Sequence, residues 1–179
     1  MHAFNLDICF VLYYVFKKHK MAKDNFLRGG YFITDDTNIK DVFIPEQLTE
    51  EQRMIQDMVK DFCMKEIHGL GIEKVAAMDA SKDMDLILEI FHKAAELGLC
   101  GISVDEPYGG MGVDFNTGLV FSEAIALGFS FATTIGAQTS IGSLPIAYYG
   151  NEEQKMKYLP GVASGEIKAA YALTEPSAG

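Results

Sequence analysis

The sequence predicts an all-α fold, an up-and-down helical domain with one strand-like stretch at its C-terminal end. Three observations carry this. Apolar residues recur at three- and four-residue steps from residue 49 to 164, with no sustained period of two. Side chains that accept backbone hydrogen bonds stand at the head of the periodic segments, spaced as N-caps. Glycines stand where those segments stop. Successive helices with such stripes bury them against one another around one core.

The elements follow in order. Residues 1–20 do not belong with the rest. Ile8 to Phe16 is a nine-residue apolar run, where about 20 residues are needed to span a bilayer. Its basic cluster Lys17-Lys18-His19-Lys20 comes after that run, whereas a signal peptide carries its charge in front. Met21 is a natural start, so residues 1–20 are expected to be a spurious or dispensable extension, with a marginal membrane-associated segment as the rival. Residues 21–48 lack periodicity, carry the turn-like pieces Arg28-Gly-Gly and Asp35-Asp36-Thr-Asn, and read as an extended arm anchored by Val42-Phe43-Ile44.

Thr49-Glu-Glu-Gln52 then has capping-box spacing, and Ile55, Met58, Val59, Phe62 and Cys63 form an amphipathic stripe ending near His68-Gly69. A second helix is expected over 83–97, burying Ile87, Ile90, Phe91 and Ala94, with Gly98 as its stop. The glycine-rich stretch 98–114 reads as a loop. A third helix, from 115 to about 127, is apolar over most of its circumference and is expected to be nearly all buried. Residues 130–149 read as one or two buried helices broken near Gly142 to Pro145. Asn151 and Gln154 repeat the capping-box spacing ahead of a polar helix over 152–163. Residues 49–165 thus make the helical domain. Residues 168–173 look like a strand that opens a β domain over 166–179, and a lone strand cannot pair its own backbone groups. The chain therefore reads as truncated.

Composition excludes several functions. The net charge of −10 becomes −12 without residues 1–20, because three lysines and one aspartate leave. Neither balance offers the basic stripe that a nucleic-acid binder needs. Cys9, Cys63 and Cys100 are odd in number and far apart, as are His2, His19, His68 and His92, so a disulfide framework or a metal site is not expected. Reduced thiols suit a cytosolic protein. Glu123 sits in an apolar stretch, but a carboxylate there more often pairs with a neighbour than acts as a base, and it receives no catalytic role.

Three stretches carry a resemblance. Tyr108-Gly-Gly-Met-Gly112, Gly150-Asn-Glu-Glu-Gln-Lys-Met-Lys-Tyr-Leu-Pro160 followed by Ala163-Ser-Gly-Glu166, and Leu173-Thr-Glu-Pro-Ser-Ala-Gly179 stand at the spacing found in acyl-CoA dehydrogenases. Over roughly residues 45–179 the chain resembles the N-terminal helical domain of that family. The glycine loop follows no strand, so it fails as a dinucleotide fingerprint and reads as a structural link between helices.

The third stretch has a chemical rationale: a strand turning through a Pro into small residues brings a hydroxyl and close backbone amides to a ligand. The resemblance implies an FAD cofactor, with Tyr171, Ala172, Leu173, Thr174, Glu175, Pro176, Ser177, Ala178 and Gly179 along the flavin and the Thr174 hydroxyl at its ring. It places Thr133, Ala137 and Ile141 along the acyl cavity. Gly136 and Gly142 in that region mark close packing or room for a ligand. The small residues there, with wording such as Ser140-Ile-Gly142, lean toward the long- and very-long-chain branch.

The implied reaction is α,β-dehydrogenation of an acyl-CoA thioester in fatty-acid β-oxidation, with electrons leaving to an electron-transfer flavoprotein. The implied protein is a homo-oligomer in the cytoplasm or a soluble matrix equivalent, with peripheral membrane association open. The family's base is a glutamate in a later domain, so no catalytic residue is assigned and this stretch alone is expected to be inactive. Two alternatives stay open at this point: an acyl-CoA oxidase or other flavoprotein of the same fold, and a non-catalytic helical interaction domain.

Overall fold

Thr49 starts the first helix, α1 (Glu50–Phe62): its hydroxyl accepts the Gln52 amide at 3.2 Å, and the Gln52 side chain accepts the Thr49 amide at 3.0 Å. Gln52 does more than cap. Its buried amide nitrogen also donates to the Thr117 hydroxyl at 3.2 Å, which ties the head of α1 to a later helix. The computed structural model describes Ile33, Lys40, residues 44–80 and residues 83–177. Backbone contacts divide the chain into Met1–Leu48 and Thr49–Gly179. In the first unit, Pro45–Gln47 forms one 3-10 turn. The extension over 1–20, most of the 21–48 arm, and Ala178 and Gly179 lie outside the described residues.

After α1 the chain loosens into a π turn, Cys63–Ile67, and a 3-10 turn, His68–Leu70. A short helix that the sequence did not announce, α2 (Ile72–Asp79), follows. Its signal is weak: Gly71 offers no side-chain cap, Ile72 is 85% exposed, and Met78 is its one fully buried side chain. Asp83 caps α3 (Met84–Glu96) by accepting the Leu86 amide at 3.0 Å. Its buried residues are the expected four, Ile87, Ile90, Phe91 and Ala94. Gly98, at φ 77°, turns the chain out of the helix in the left-handed region that glycine adopts without strain.

Asp114 caps α4 (Phe115–Ile125), accepting the Thr117 amide at 2.7 Å. The expectation of a nearly all-buried α4 is corrected. Thr117, Val120, Phe121, Ala124 and Ile125 are buried, while Phe115 is 79% and Leu119 53% exposed, and Glu123 is exposed too. One face packs on α1 and the helix that follows, and a 3.6-residue period carries the other apolar residues away from it. The next elements are α5 (Ser130–Thr139), α6 (Leu144–Tyr149) and α7 (Glu152–Ala163). Asn151 and Gln154 exchange the reciprocal capping bonds at 2.9 Å each. A second correction concerns residues 168–173, which carry no strand. No neighbouring strand among the described residues offers its backbone groups a ladder.

The core gathers the inner faces of α1 to α5, including Val59, Cys63, Ile67, Met78, Ile90, Leu99, Phe121, Phe131 and Ile135. A smaller cluster of Val104, Leu159 and Ala163 seats α7 and the glycine loop. Two thiols lie fully inside. Burial pushes Cys63 up to about 11 and Cys100 up to about 12, from 9.0. Their folded values are raised, so the stability they contribute is complete below pH 9 and fades as pH climbs toward 11–12. Both thiols should resist alkylation at pH 8 by peptide-resolved mass spectrometry, and the urea midpoint should fall above pH 9. Rapid labelling of either under native conditions would contradict that burial.

Candidate functional site

The candidate residues fall on two elements, and the structure joins them at one end. The first is α5. Phe131, Ile135, Gln138 and Thr139 are its buried residues. Thr133 and Ala137 stand at helical spacing on the other side, with Ile141 in the turn that follows. Thr133 is exposed, Ala137 half-buried and Ile141 51% exposed. The two glycines of this region serve opposite ends. A methyl group at Gly136 would meet nothing within 4 Å, so it leaves room. One at Gly142 would stand 2.7 Å from the Ala169 methyl and 2.8 Å from the Ala137 carbonyl oxygen, so it allows close packing.

The start of α5 is held hard. Phe129 is the one non-glycine residue at positive φ among the described residues, at φ 53° and ψ −131°. Such a conformation costs about 1–3 kcal/mol. Its ring lies 4.9 Å from that of His68, whose Nε2 is 2.9 Å from the Leu127 carbonyl oxygen. The strain therefore marks where α5 begins, with the His68 ring against a half-exposed Phe129.

The second element is the exit from α7. Gly165, at φ 73°, reverses the chain where a side chain would run into the Ala95 methyl at 2.6 Å. The Ile167 amide donates to the Gly161 carbonyl at 2.8 Å, and the Lys168 ammonium lies 5.6 Å from the centre of the Phe91 ring. The Gln138 side chain receives this segment. Its Nε2 donates to the carbonyls of Val162 at 2.9 Å and Ile167 at 2.8 Å, and its Oε1 accepts the Ala169 amide at 2.7 Å. Sequence reasoning passed over Gln138. The available signal was a lone amide in an apolar helix, which must find partners when buried.

From Tyr171 to Ser177 the side chains are open to solvent. Tyr171, Ala172, Leu173, Thr174, Glu175, Pro176 and Ser177 are all exposed, with Tyr171 at 53% and Leu173 at 70%. Ala169, two residues before this stretch, packs on Gly142, next to Ile141. The structure thus brings the root of the signature stretch to the end of the small-residue face of α5.

The glycine loop has a structural part. Met111 and Gly112 donate from their amides to the carbonyls of Gly101 at 2.9 Å and Val104 at 2.8 Å, folding the loop back on its own first half. The Tyr108 hydroxyl donates to Glu152 Oε2 at 2.9 Å, and that bond raises the phenol above its ordinary range. Elsewhere, Lys93 and Lys65 hold Glu66 below the usual carboxylate range. Among the described residues, no three His, Cys, Asp or Glu side chains are grouped to hold a metal ion, and no helix is long and apolar enough to cross a membrane. Thr133, Gly136, Ala137 and Ile141 include no titratable side chain. That face can bind apolar matter but cannot move a proton.

Comparison with known proteins bears on this arrangement. The acyl-CoA dehydrogenase N-terminal domain profile matches residues 49–166. The chain is 40% identical over 154 residues to a probable acyl-CoA dehydrogenase of Bacillus subtilis (strain 168), covering 85% of this chain and 25% of that protein. It is 33% identical over 133 residues to a short-chain specific acyl-CoA dehydrogenase of Clostridium acetobutylicum, covering 74% of this chain and 34% of the relative. A crystal structure of acyl-CoA dehydrogenase complexed with FAD from Bacillus anthracis superposes with a TM-score of 0.74 at 41% identity, over 86% of this chain and 25% of that one. The chain thus spans between a quarter and about a third of the length of these proteins. On the profile match, the chain belongs to the acyl-CoA dehydrogenase family, in the part that forms the N-terminal helical domain.

Proposed function

We propose that this chain serves an FAD-dependent dehydrogenation of acyl-CoA thioesters in fatty-acid β-oxidation, supplying one wall of the acyl cavity and the first contacts to the flavin. One observation carries the reading: the open, small-residue face of α5 ends where Gly142 seats Ala169, at the root of the exposed stretch over 171–177. That stretch fits a flavin, since the Thr174 hydroxyl and the other exposed groups over 171–177 are available to a ring edge. When bound, the flavin would accept the β-hydride. Thr174 would hold its ring, and Tyr171 to Ser177, with Ala178 and Gly179, would run along it. Thr133, Ala137 and Ile141 would line the acyl chain and keep water from it. No proton-transfer role falls to this chain.

The reading includes residues 166–179 as the start of a flavin-binding β domain, an electron-transfer flavoprotein as acceptor, and a homo-oligomer. Small side chains at Thr133, Gly136 and Ala137 favour a long acyl chain. Against that stands the short-chain name of the Clostridium acetobutylicum relative. Two measurements on the FAD-loaded enzyme test these points. Anaerobic addition of acyl-CoA should bleach the flavin absorbance, and no bleaching with any chain length would refute the function. Ala137→Gln should lower kcat/KM for long acyl-CoA about tenfold or more while sparing short ones, by filling volume. Equal losses on both would remove Ala137 from the cavity wall.

A further inference from the structure

We infer that Gln138 is a positioning residue: it sets the register at which the chain leaves the helical domain, and so where Thr174 is presented. The inference rests on the flavin reading above and extends it to a residue buried behind the site. Gln138 is 1% exposed, yet its amide satisfies three backbone groups spread over Val162, Ile167 and Ala169. Those groups belong to the end of α7, the turn after it and the start of the exit. One side chain therefore fixes three successive points of the same path.

The chemistry of the clamp demands an amide of this length. It needs two donors on one atom and an acceptor on its neighbour, which glutamine carries and a carboxylate or an aliphatic side chain does not. Independent contacts hold the same segment. Gly142 accepts Ala169 at a distance that admits no side chain, and the Ile167 side chain packs over Gly161, 2.7 Å from the position a methyl there would take. Thr174 is the fifth residue after Ala169, so it lies within about 17 Å of the clamp along an extended chain. A residue released at the root gives that hydroxyl a wide range of positions, while a root held at three points gives it a narrow one.

The test compares wild type, Gln138→Leu and Gln138→Asn as FAD-loaded enzymes. Gln138→Asn keeps the amide and shortens its reach by one methylene, so it serves if the leucine variant fails to fold. Amide hydrogen exchange reads the clamp, and the FAD dissociation constant reads its consequence. In either variant, exchange at Ala169 should accelerate about tenfold or more, the loss of a buried hydrogen bond. The FAD dissociation constant should rise by about tenfold, with protection of the α3 amides unchanged. Unchanged exchange at Ala169 would show that no clamp exists. Faster exchange with unchanged FAD affinity would reduce Gln138 to a structural residue and overturn the inference. A full-length wild-type enzyme that holds no FAD would instead sink the flavin reading itself, while the exchange arm still reports on the clamp.

Discussion

Gly110→Ala is expected to destabilise the domain by about 3 kcal/mol or more, because the loop has no room for one carbon atom. A Cβ at Gly110 would overlap the Val104 carbonyl oxygen and stand 2.5 Å from the Val104 Cβ. Neither can yield cheaply. The same carbonyl accepts the Gly112 amide at 2.8 Å, and the Val104 side chain is 1% exposed in the cluster with Leu159 and Ala163. Moving Val104 would therefore disturb the loop and the seat of α7 together. Gly118→Ala is the control, since a Cβ there, inside α4, meets nothing within 4 Å. Removing a helical glycine should add roughly 0.5–1 kcal/mol. Urea midpoints of the two variants should thus move in opposite directions. A cost below about 1 kcal/mol for Gly110→Ala would mean that the loop shifts freely and does not help to seat α7.

The helix starts were legible because a cap is a local device. Thr49 with Gln52 and Asn151 with Gln154 make their bonds within four residues, so spacing alone announces them. The stripe on α3 was legible for a similar reason: Ile87, Ile90, Phe91 and Ala94 all face one core. What remained hidden depends on distant neighbours. Nothing near Gln138 in sequence says that Val162, Ile167 and Ala169 will come to it. Gly136 and Gly142 look alike along the chain, yet one faces open space and the other receives Ala169. The apolar run of α4 promised full burial, but Phe115 and Leu119 fall outside the contact face. The strand expected over 168–173 failed on the same ground, since a strand is defined by its partner. Of the candidate site, the residue positions came from the resemblance, and the structure added that Gly142 and Ala169 join the two groups.

Phe131→Ala should produce the other large loss, about 3–5 kcal/mol, and the loss should fall on α5 first. Phe131 is 1% exposed, its ring 6.1 Å from that of Phe62 and tilted by 45°, so it joins α5 to α1 across the core. Ile135, one turn on, is fully buried beside it. Truncation to alanine removes the transfer free energy of the ring and leaves a cavity that the neighbours close only in part. Against a total stability of about 5–15 kcal/mol, that is a large fraction. Thr133→Ala, on the exposed side of the same helix, should change stability by less than about 0.5 kcal/mol. The contrast separates the two faces of α5: one holds the helix, and the other is free to line a ligand. Urea unfolding of both variants, followed by helical circular dichroism, gives the comparison. A Phe131→Ala cost near that of Thr133→Ala would mean that Phe131 does not anchor the helix, and the rigid α5 wall assumed for the acyl cavity would lose its support.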